Sequence, residues 1–330
     1  MRDFDVHPTG ISFDAAGAVP HSGAATETAM TMTPRSEFVT LSSARLHYLS
    51  AGTGPAIVFV HGFPEFSGAW KPQFDAFAHD HRVLAPDLRG FNLSDKPPGA
   101  AHYEMPVLVQ DLREFIERVA GGPCVVVAHD WGGVCAWHLA AQHPELVKRL
   151  VILNSPHPAL LYRELLHNPA QREAMRYTLL FRSARAEALL SENDFARLAA
   201  MFASWEIGGE KLDPALVAAY KQAWSQPGAL DAMLNYYRAT QLHPPGPGEP
   251  GVEAMQPDLA RWRVEVPTRV IWGERDGALL PGLLDGLEAF VPRLDVRRLT
   301  EGTHWIAHEF PDRVNALIRG FVEGAGATRR

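Results

Sequence analysis

Residues 124–140 read Cys-Val-Val-Val-Ala-His-Asp-Trp-Gly-Gly-Val-Cys-Ala-Trp-His-Leu-Ala. The apolar run rich in β-branched residues ends at Ala128, three residues follow that suit a strand poorly, and a helix-compatible run begins at Gly132. The pattern predicts strand, tight turn, helix. A turn this sharp forces its central residue into a strained backbone conformation, and Ala128, Gly132 and Gly133 are small enough to let strand and helix pack together. The central residue is Asp130, so the turn presents a carboxylate.

Around this stretch lies a chain of 330 residues, long enough to bury a large core as one domain or as a domain with an insertion. Its 31 Lys and Arg against 38 Asp and Glu leave a net charge of -7, and no basic run tracks a phosphate backbone, which argues against nucleic acid as a partner. No apolar run approaches the roughly 20 residues that span a bilayer. The two cysteines, Cys124 and Cys135, make no disulfide framework and read as small buried hydrophobes, in keeping with a reducing cytoplasm. Residues 1–35 lack the charged start and apolar stretch of a signal peptide. They mix Gly, Ala, Thr, Pro and His without periodicity and read as a disordered extension, or as an over-extended start upstream of Met30 or Met32.

Moving outward from the turn, alternation between Glu37 and Leu49 predicts a hairpin or two edge strands, and Ala56 to Val60 a strand buried on both faces. The latter ends in the loop His61-Gly62-Phe63-Pro64-Glu65, at the carboxyl end of a strand, where open α/β sheets bind ligands. Ala69 to Ala78 is predicted as helix, Arg82 to Pro86 as strand, and Met105 to Val119 as an amphipathic helix. Asp87 and Asp95 read as residues that fix the loop beyond the strand at Pro86. Val147 to Leu153 is the strand after the turn. From Ala159 to about Arg238 there is no convincing strand, only helical pattern broken at Asn168-Pro169 and Pro227-Gly228, followed by a Pro/Gly-rich loop from His243 to Gly251. Strands return at Thr268 to Trp272 and Leu294 to Leu299, with helices around Pro281 to Phe290 and Pro311 to Val322. Strands alternating with helices predict a mostly parallel sheet covered on both faces.

The loop His61 to Glu65, Asp87-Leu88-Arg89-Gly90, the turn His129-Asp130-Trp131-Gly132-Gly133, Asn154-Ser155-Pro156-His157-Pro158, Asp276 and His304-Trp305 together resemble the α/β-hydrolase-fold epoxide hydrolases, over nearly all of the chain from about Glu37 onward. The resemblance implies an α/β-hydrolase core over 36–154 and 265–330, with a helical cap inserted over 155–264. Its nucleophile elbow usually carries Ser; Asp130 in that place implies a carboxylate nucleophile and an ester to substrate carbon, and excludes a serine esterase. In the chain order of this fold, Asp276 is the acid that orients His304, the base; Glu274 is a weaker rival, and Asn154, at the other place where an acid can sit, cannot carry the charge. His129 is expected to pack or hydrogen-bond inside the elbow.

The resemblance further implies an oxyanion hole from the backbone N–H groups of Phe63 and Trp131. It implies a substrate pocket with His61, Pro64, Glu65, Trp131 and Trp305, and two cap tyrosines that donate to the epoxide oxygen. Asn235-Tyr236-Tyr237-Arg238 assigns one of these to Tyr237, and Arg176-Tyr177-Thr178-Leu179-Leu180-Phe181 the other to Tyr177, while Tyr236, Tyr162 and Tyr220 read as structural. The expected substrate is a small, largely apolar epoxide with water as co-substrate, and the chemistry needs no metal or organic cofactor. Monomer and homodimer both stay open. A dehalogenase of the same fold is the nearest rival, but the fluoroacetate type needs arginines just beyond the nucleophile, where this chain has Trp131, Val134 and Trp137. A non-catalytic receptor of the fold has no need of Asp130, Asp276 and His304 together.

Overall fold

The structure, a computed structural model, describes residues 33–202 and 213–324. The extension expected over residues 1–35 lies almost wholly outside the described residues, and the first strand already begins at Arg35. In chain order the elements are β1 (Arg35–Thr40), β2 (Arg45–Ala51), β3 (Ala56–Val60), α1 (Lys71–Phe77), β4 (Arg82–Pro86), α2 (Met105–Phe115), β5 (Cys124–His129), α3 (Asp130–Gln142) and β6 (Val147–Leu153). Helices α4 (Pro158–His167), α5 (Pro169–Ala174), α6 (Tyr177–Arg182), α7 (Ala186–Ala200), α8 (Pro214–Trp224) and α9 (Ala229–Ala239) follow. The chain then returns through β7 (Thr268–Gly273), β8 (Leu294–Leu299), α10 (Ile306–Glu309) and α11 (Pro311–Val322). Among the described residues no helix is long and apolar enough to cross a membrane.

The strands form one sheet in the order β1-β2-β4-β3-β5-β6-β7-β8, in which β2 alone runs against its neighbours. Strand alternation sorts its side chains between two cores. Val58, Val60, Val126, Ala128, Leu150 and Ile152 face one side, where α2, α3 and the helical segment pack. Ile57, Phe59, Val125, Val127, Val151 and Leu153 face the other, against Phe74 and Phe77 of α1 and Val314 and Ile318 of α11. With both faces covered, the stretches Ile57–Val60, Val125–Ala128 and Leu150–Leu153 of the central strands are apolar at successive positions, as the sequence predicts. After β3 the chain steps to one side to make β4 and then to the other to make β5, so the order reverses between β3 and β5. Ligands bind outside the carboxyl ends of strands at such a reversal, and here those ends lead into His61 and Asp130.

Helices α4 to α9 lie between β6 and β7 among the described residues, and the starts of α4, α5 and α8 are capped by side chains the sequence supplies. Asn168 accepts from Ala170 N at 3.0 Å at the head of α5, and Asp213 from Ala215 N at 2.8 Å at the head of α8, each followed by Pro at the first helical position. This segment is tied to the sheet's loops: Tyr236 donates its hydroxyl to Arg89 O at 2.8 Å, Trp224 its indole N–H to Pro64 O at 2.6 Å, and Trp305 its own to Met201 O at 3.0 Å.

Two predicted helices differ. The segment expected as one helix from Ala69 to Ala78 begins as a 3-10 turn over Ser67–Trp70 before α1. The helix expected over Pro281 to Phe290 is instead two 3-10 turns, Pro281–Leu284 and Leu287–Ala289, because Gly286 between them takes φ +84°, a left-handed conformation no helix propagates through.

Candidate active site

Asp130 opens α3 with φ +47°, the strained conformation expected of the turn's centre. A Cβ on Gly132 would fall on the carbonyls of Val60 and His61, and one on Gly133 would press into Ser155, so the small residues are what let α3 leave β5 so steeply. Ser155 in turn donates its hydroxyl to Asp130 O at 2.7 Å. The Asp130 carboxylate is held by Phe63 N–H, which donates to Oδ1 at 2.7 Å, and its Oδ2 lies 3.8 Å from His304 Nε2.

His304 follows β8 and donates from Nδ1 to Asp276 Oδ2 at 2.7 Å. Asp276, beyond the end of β7, is buried and surrounded by donors: Asn154 Nδ2 at 2.8 Å on Oδ2, and the N–H groups of Ala278 and Leu279 at 2.8 and 2.9 Å on Oδ1. Burial alone would raise this carboxyl, but the His304 charge and hydrogen bond, with the two backbone donors, hold it below the usual range. Burial likewise would lower His304, and the facing carboxylates of Asp276, Asp130 and Glu65 outweigh it, raising the imidazole to about 9. Glu274 is turned away, pairing with Arg298 at 3.0 Å. Asn154 supports Asp276, its Oδ1 also accepting from Gly273 N at 2.8 Å.

Over Asp130 lies a cavity of about 50 Å³, lined on the sheet side by Asp130, Trp131, Val134, Pro156 and Leu279 and on the helical side by Tyr177, Tyr237, Met175, Thr178, Leu242 and His243. Burial, then the charges of Asp130 and Asp276, push the Tyr177 phenol far up; burial, then Tyr177 and Asp130, do the same to Tyr237. Both hydroxyls therefore keep their protons near the carboxylate. The other tyrosines are engaged elsewhere, Tyr236 on Arg89 O, Tyr162 on Met255 O at 3.2 Å, and Tyr220 on Glu65 Oε1 at 3.3 Å.

Of the residues expected to form the pocket, Trp131 lines the cavity, and His61, Pro64, Glu65 and Trp305 do not. Each has a structural task that takes it away. His61 accepts from Leu88 N at 3.0 Å through Nε2 and donates to Gly62 O at 2.9 Å through Nδ1, bracing the loop. The Pro64 carbonyl receives Trp224, and Trp305 packs its ring against Phe202. Glu65 is buried beneath the site, accepting from His129 Nδ1 at 2.9 Å and His308 Nε2 at 2.6 Å. Burial would raise its carboxyl, but the two imidazoles hold it well below its ordinary value. His129 donates from its other nitrogen to His304 O at 2.9 Å, so one histidine joins the elbow, the Phe63 loop and His304. Asp87 is likewise structural, accepting from His47 Nδ1 at 2.7 Å and Ser67 N at 2.8 Å, and Asp95 accepts from Arg45 N at 2.7 Å. The cavity residues that sequence reasoning misses, Met175, Thr178, Leu242, His243 and Leu279, come from separate segments and carry no shared local pattern.

A family described as alpha/beta hydrolase fold matches residues 55–311. The chain is 34% identical over 292 residues to Epoxide hydrolase 4 of Mus musculus, covering 86% of this chain and 77% of that protein. It is 38% identical over 296 residues to the AB hydrolase superfamily protein YfhM of Bacillus subtilis (strain 168), covering 87% and 97%. Among solved structures it is similar to an epoxide hydrolase from Bacillus megaterium in complex with an inhibitor, with a TM-score of 0.79, 34% identity, and coverage of 87% of this chain and 100% of that one.

Proposed function

The chain belongs to the α/β-hydrolase fold family, among the epoxide hydrolases, and from that premise we propose that it converts an epoxide to a vicinal diol through a covalent ester on Asp130. The observation that carries this reading is that the cavity above the Asp130 carboxylate is also lined by two phenols, the buried Tyr237 and the partly buried Tyr177. A carboxylate facing O–H donors suits a ring that must be attacked at carbon and protonated at oxygen.

Asp130 Oδ2 attacks an epoxide carbon, and the C–O bond breaks as a tyrosine hydroxyl gives its proton to the departing oxygen. This leaves a hydroxyalkyl ester and a tyrosinate. His304, oriented by Asp276, then takes a proton from water, whose oxygen adds to the ester carbonyl carbon. The oxyanion is held by Phe63 N–H and by Trp131 N–H, the latter in the first turn of α3, where amides have no partner within the helix. Collapse releases the diol, whose oxygen takes the proton from His304, and the proton on the regenerated carboxyl returns to the tyrosinate.

In this reading residues 155–264 form the cap and 36–154 with 265–330 the core. The free, buried Cys124 and Cys135 suit a reducing cytoplasm. The decisive experiment is the intact mass of a His304→Gln variant after mixing with an aryl or alkyl epoxide and, separately, with a haloalkane and a haloacetate. Loss of the base strands the ester, so the epoxide adds its whole mass and the halides add nothing. An adduct from a halide alone, lighter by the lost hydrogen halide, makes the protein a dehalogenase. Asp130→Asn should abolish both adduct and turnover.

A further inference from the structure

Two phenols that serve one oxygen have to be held at a set separation, yet Tyr177 and Tyr237 stand on different helices. Helix α6, which begins with Tyr177, has six residues, too few to be stable by itself, so its position is decided by what anchors it. One anchor is aromatic. The Phe181 ring lies 5.2 Å from that of Tyr177, 5.0 Å from Tyr237 and 5.3 Å from Phe63, which fixes the lateral packing but leaves rings free to slide.

The other anchor is polar and directional. Arg182, the last residue of α6, has a mostly buried side chain, 13% exposed. Its Nη1 donates to the main-chain carbonyl of Tyr237 itself and, at 3.0 Å, to Thr240 O, while Nε donates to Glu249 Oε2 at 2.5 Å. The carbonyls of Tyr237 and Thr240 belong to the C-terminal end of α9, where oxygens lack partners within the helix and the dipole favours a cation. The guanidinium thus joins three partners in one rigid plane: the end of α9, the Pro/Gly-rich loop that carries Glu249, and its own helix α6.

We propose that Arg182 is a positioning residue for epoxide opening: bound to the carbonyl of Tyr237 from the end of the helix that Tyr177 begins, it sets the spacing of the two phenols so that both reach one oxygen. The proposal rests on the reading of these tyrosines as donors. It assigns Arg182 to ester formation and not to ester hydrolysis, where Asp276, His304, Phe63 and Trp131 act and the tyrosines do not donate to the ring oxygen.

The test is single-turnover kinetics with enzyme in excess over propylene oxide, rapid quench, and intact mass to follow growth and decay of the ester. Arg182→Met should slow ester formation by about 10- to 100-fold, the scale of a misplacement near 1 Å, and leave ester decay within about twofold of wild type. Arg182→Lys, which keeps a cation at the carbonyls but loses the planar fork, should recover part of the loss. Unchanged ester formation, or formation and decay slowed by the same factor, overturns the proposal. Tyr237→Phe run alongside separates the two readings. If it slows ester formation while Arg182→Met does not, Arg182 alone is misassigned; if it leaves ester formation unchanged, the donor role of the tyrosines fails and this proposal with it. Should Arg182→Met not fold, Arg182→Lys carries the same comparison: selective slowing of ester formation supports the proposal, and wild-type rates for both steps overturn it.

Discussion

In the proposed mechanism His304 accepts a proton from water, yet in the resting site it is held near 9 and is charged at neutral pH. The reaction itself resolves this conflict. Burial opposes that charge, Asp276 favours it most, and the Asp130 carboxylate 3.8 Å away adds to it. Esterification removes the Asp130 charge, so the base is released toward neutrality when it is needed. The expected outcome is that ester decay in single turnover rises with pH with an apparent pKa below about 9; a value at or above that of the free protein contradicts it. The linkage to stability has the opposite sense. A histidine raised above its unfolded value near 6.5 contributes fully below that pH, and the contribution is lost as pH climbs through about 9. At this scale the sequence is most readable where chain order foretells proximity: Asp130, Asp276 and His304, expected together, lie together. It is least readable for Glu65, whose partners His129 and His308 lie 64 and 243 residues away, so that a carboxylate in a ligand-binding loop proves to be a brace beneath it.

Among the elements, the junction of β5 and α3 is the most constrained. Gly132→Ala sets a methyl group against two backbone oxygens that cannot yield, and should destabilise the protein by about 1–3 kcal/mol in denaturant melts. A neutral result would mean that α3 can move away from β3. The strands are legible because Ala56–Val60, Cys124–His129, Val147–Leu153 and Thr268–Gly273 are short, mostly apolar stretches rich in β-branched residues and closed by turn-formers. The helix expected from Pro281 shows the limit of pattern: its apolar spacing is right, but Gly286 in the left-handed region divides it into two turns. The helices between β6 and β7 are legible as helices, whereas their placement is not. That Tyr237 faces the cavity while adjacent Tyr236 reaches Arg89 depends on how α9 lies on the core, which no local periodicity encodes.

For the molecule as a whole, the loops of the sheet hold Asp130, His304 and Asp276, the helical segment holds Tyr177 and Tyr237, and the two are joined by Tyr236, Trp224 and Trp305. Between them the cavity is about 50 Å³. An engineered protein cavity that accepts benzene measures about 150 Å³, so in the described geometry an aryl epoxide has no room to enter. A substrate of that size needs the helical layer to move outward and return, against the resistance of the solvent, unless the lining side chains yield by themselves. The rate for a bulky epoxide should therefore fall in proportion to viscosity as sucrose is added, while that for a three-carbon epoxide stays level. Insensitivity in both would mean that the side chains lining the cavity yield by themselves. If the dependence holds, friction with the surrounding medium belongs to the catalytic cycle of this protein as much as the bonds it breaks.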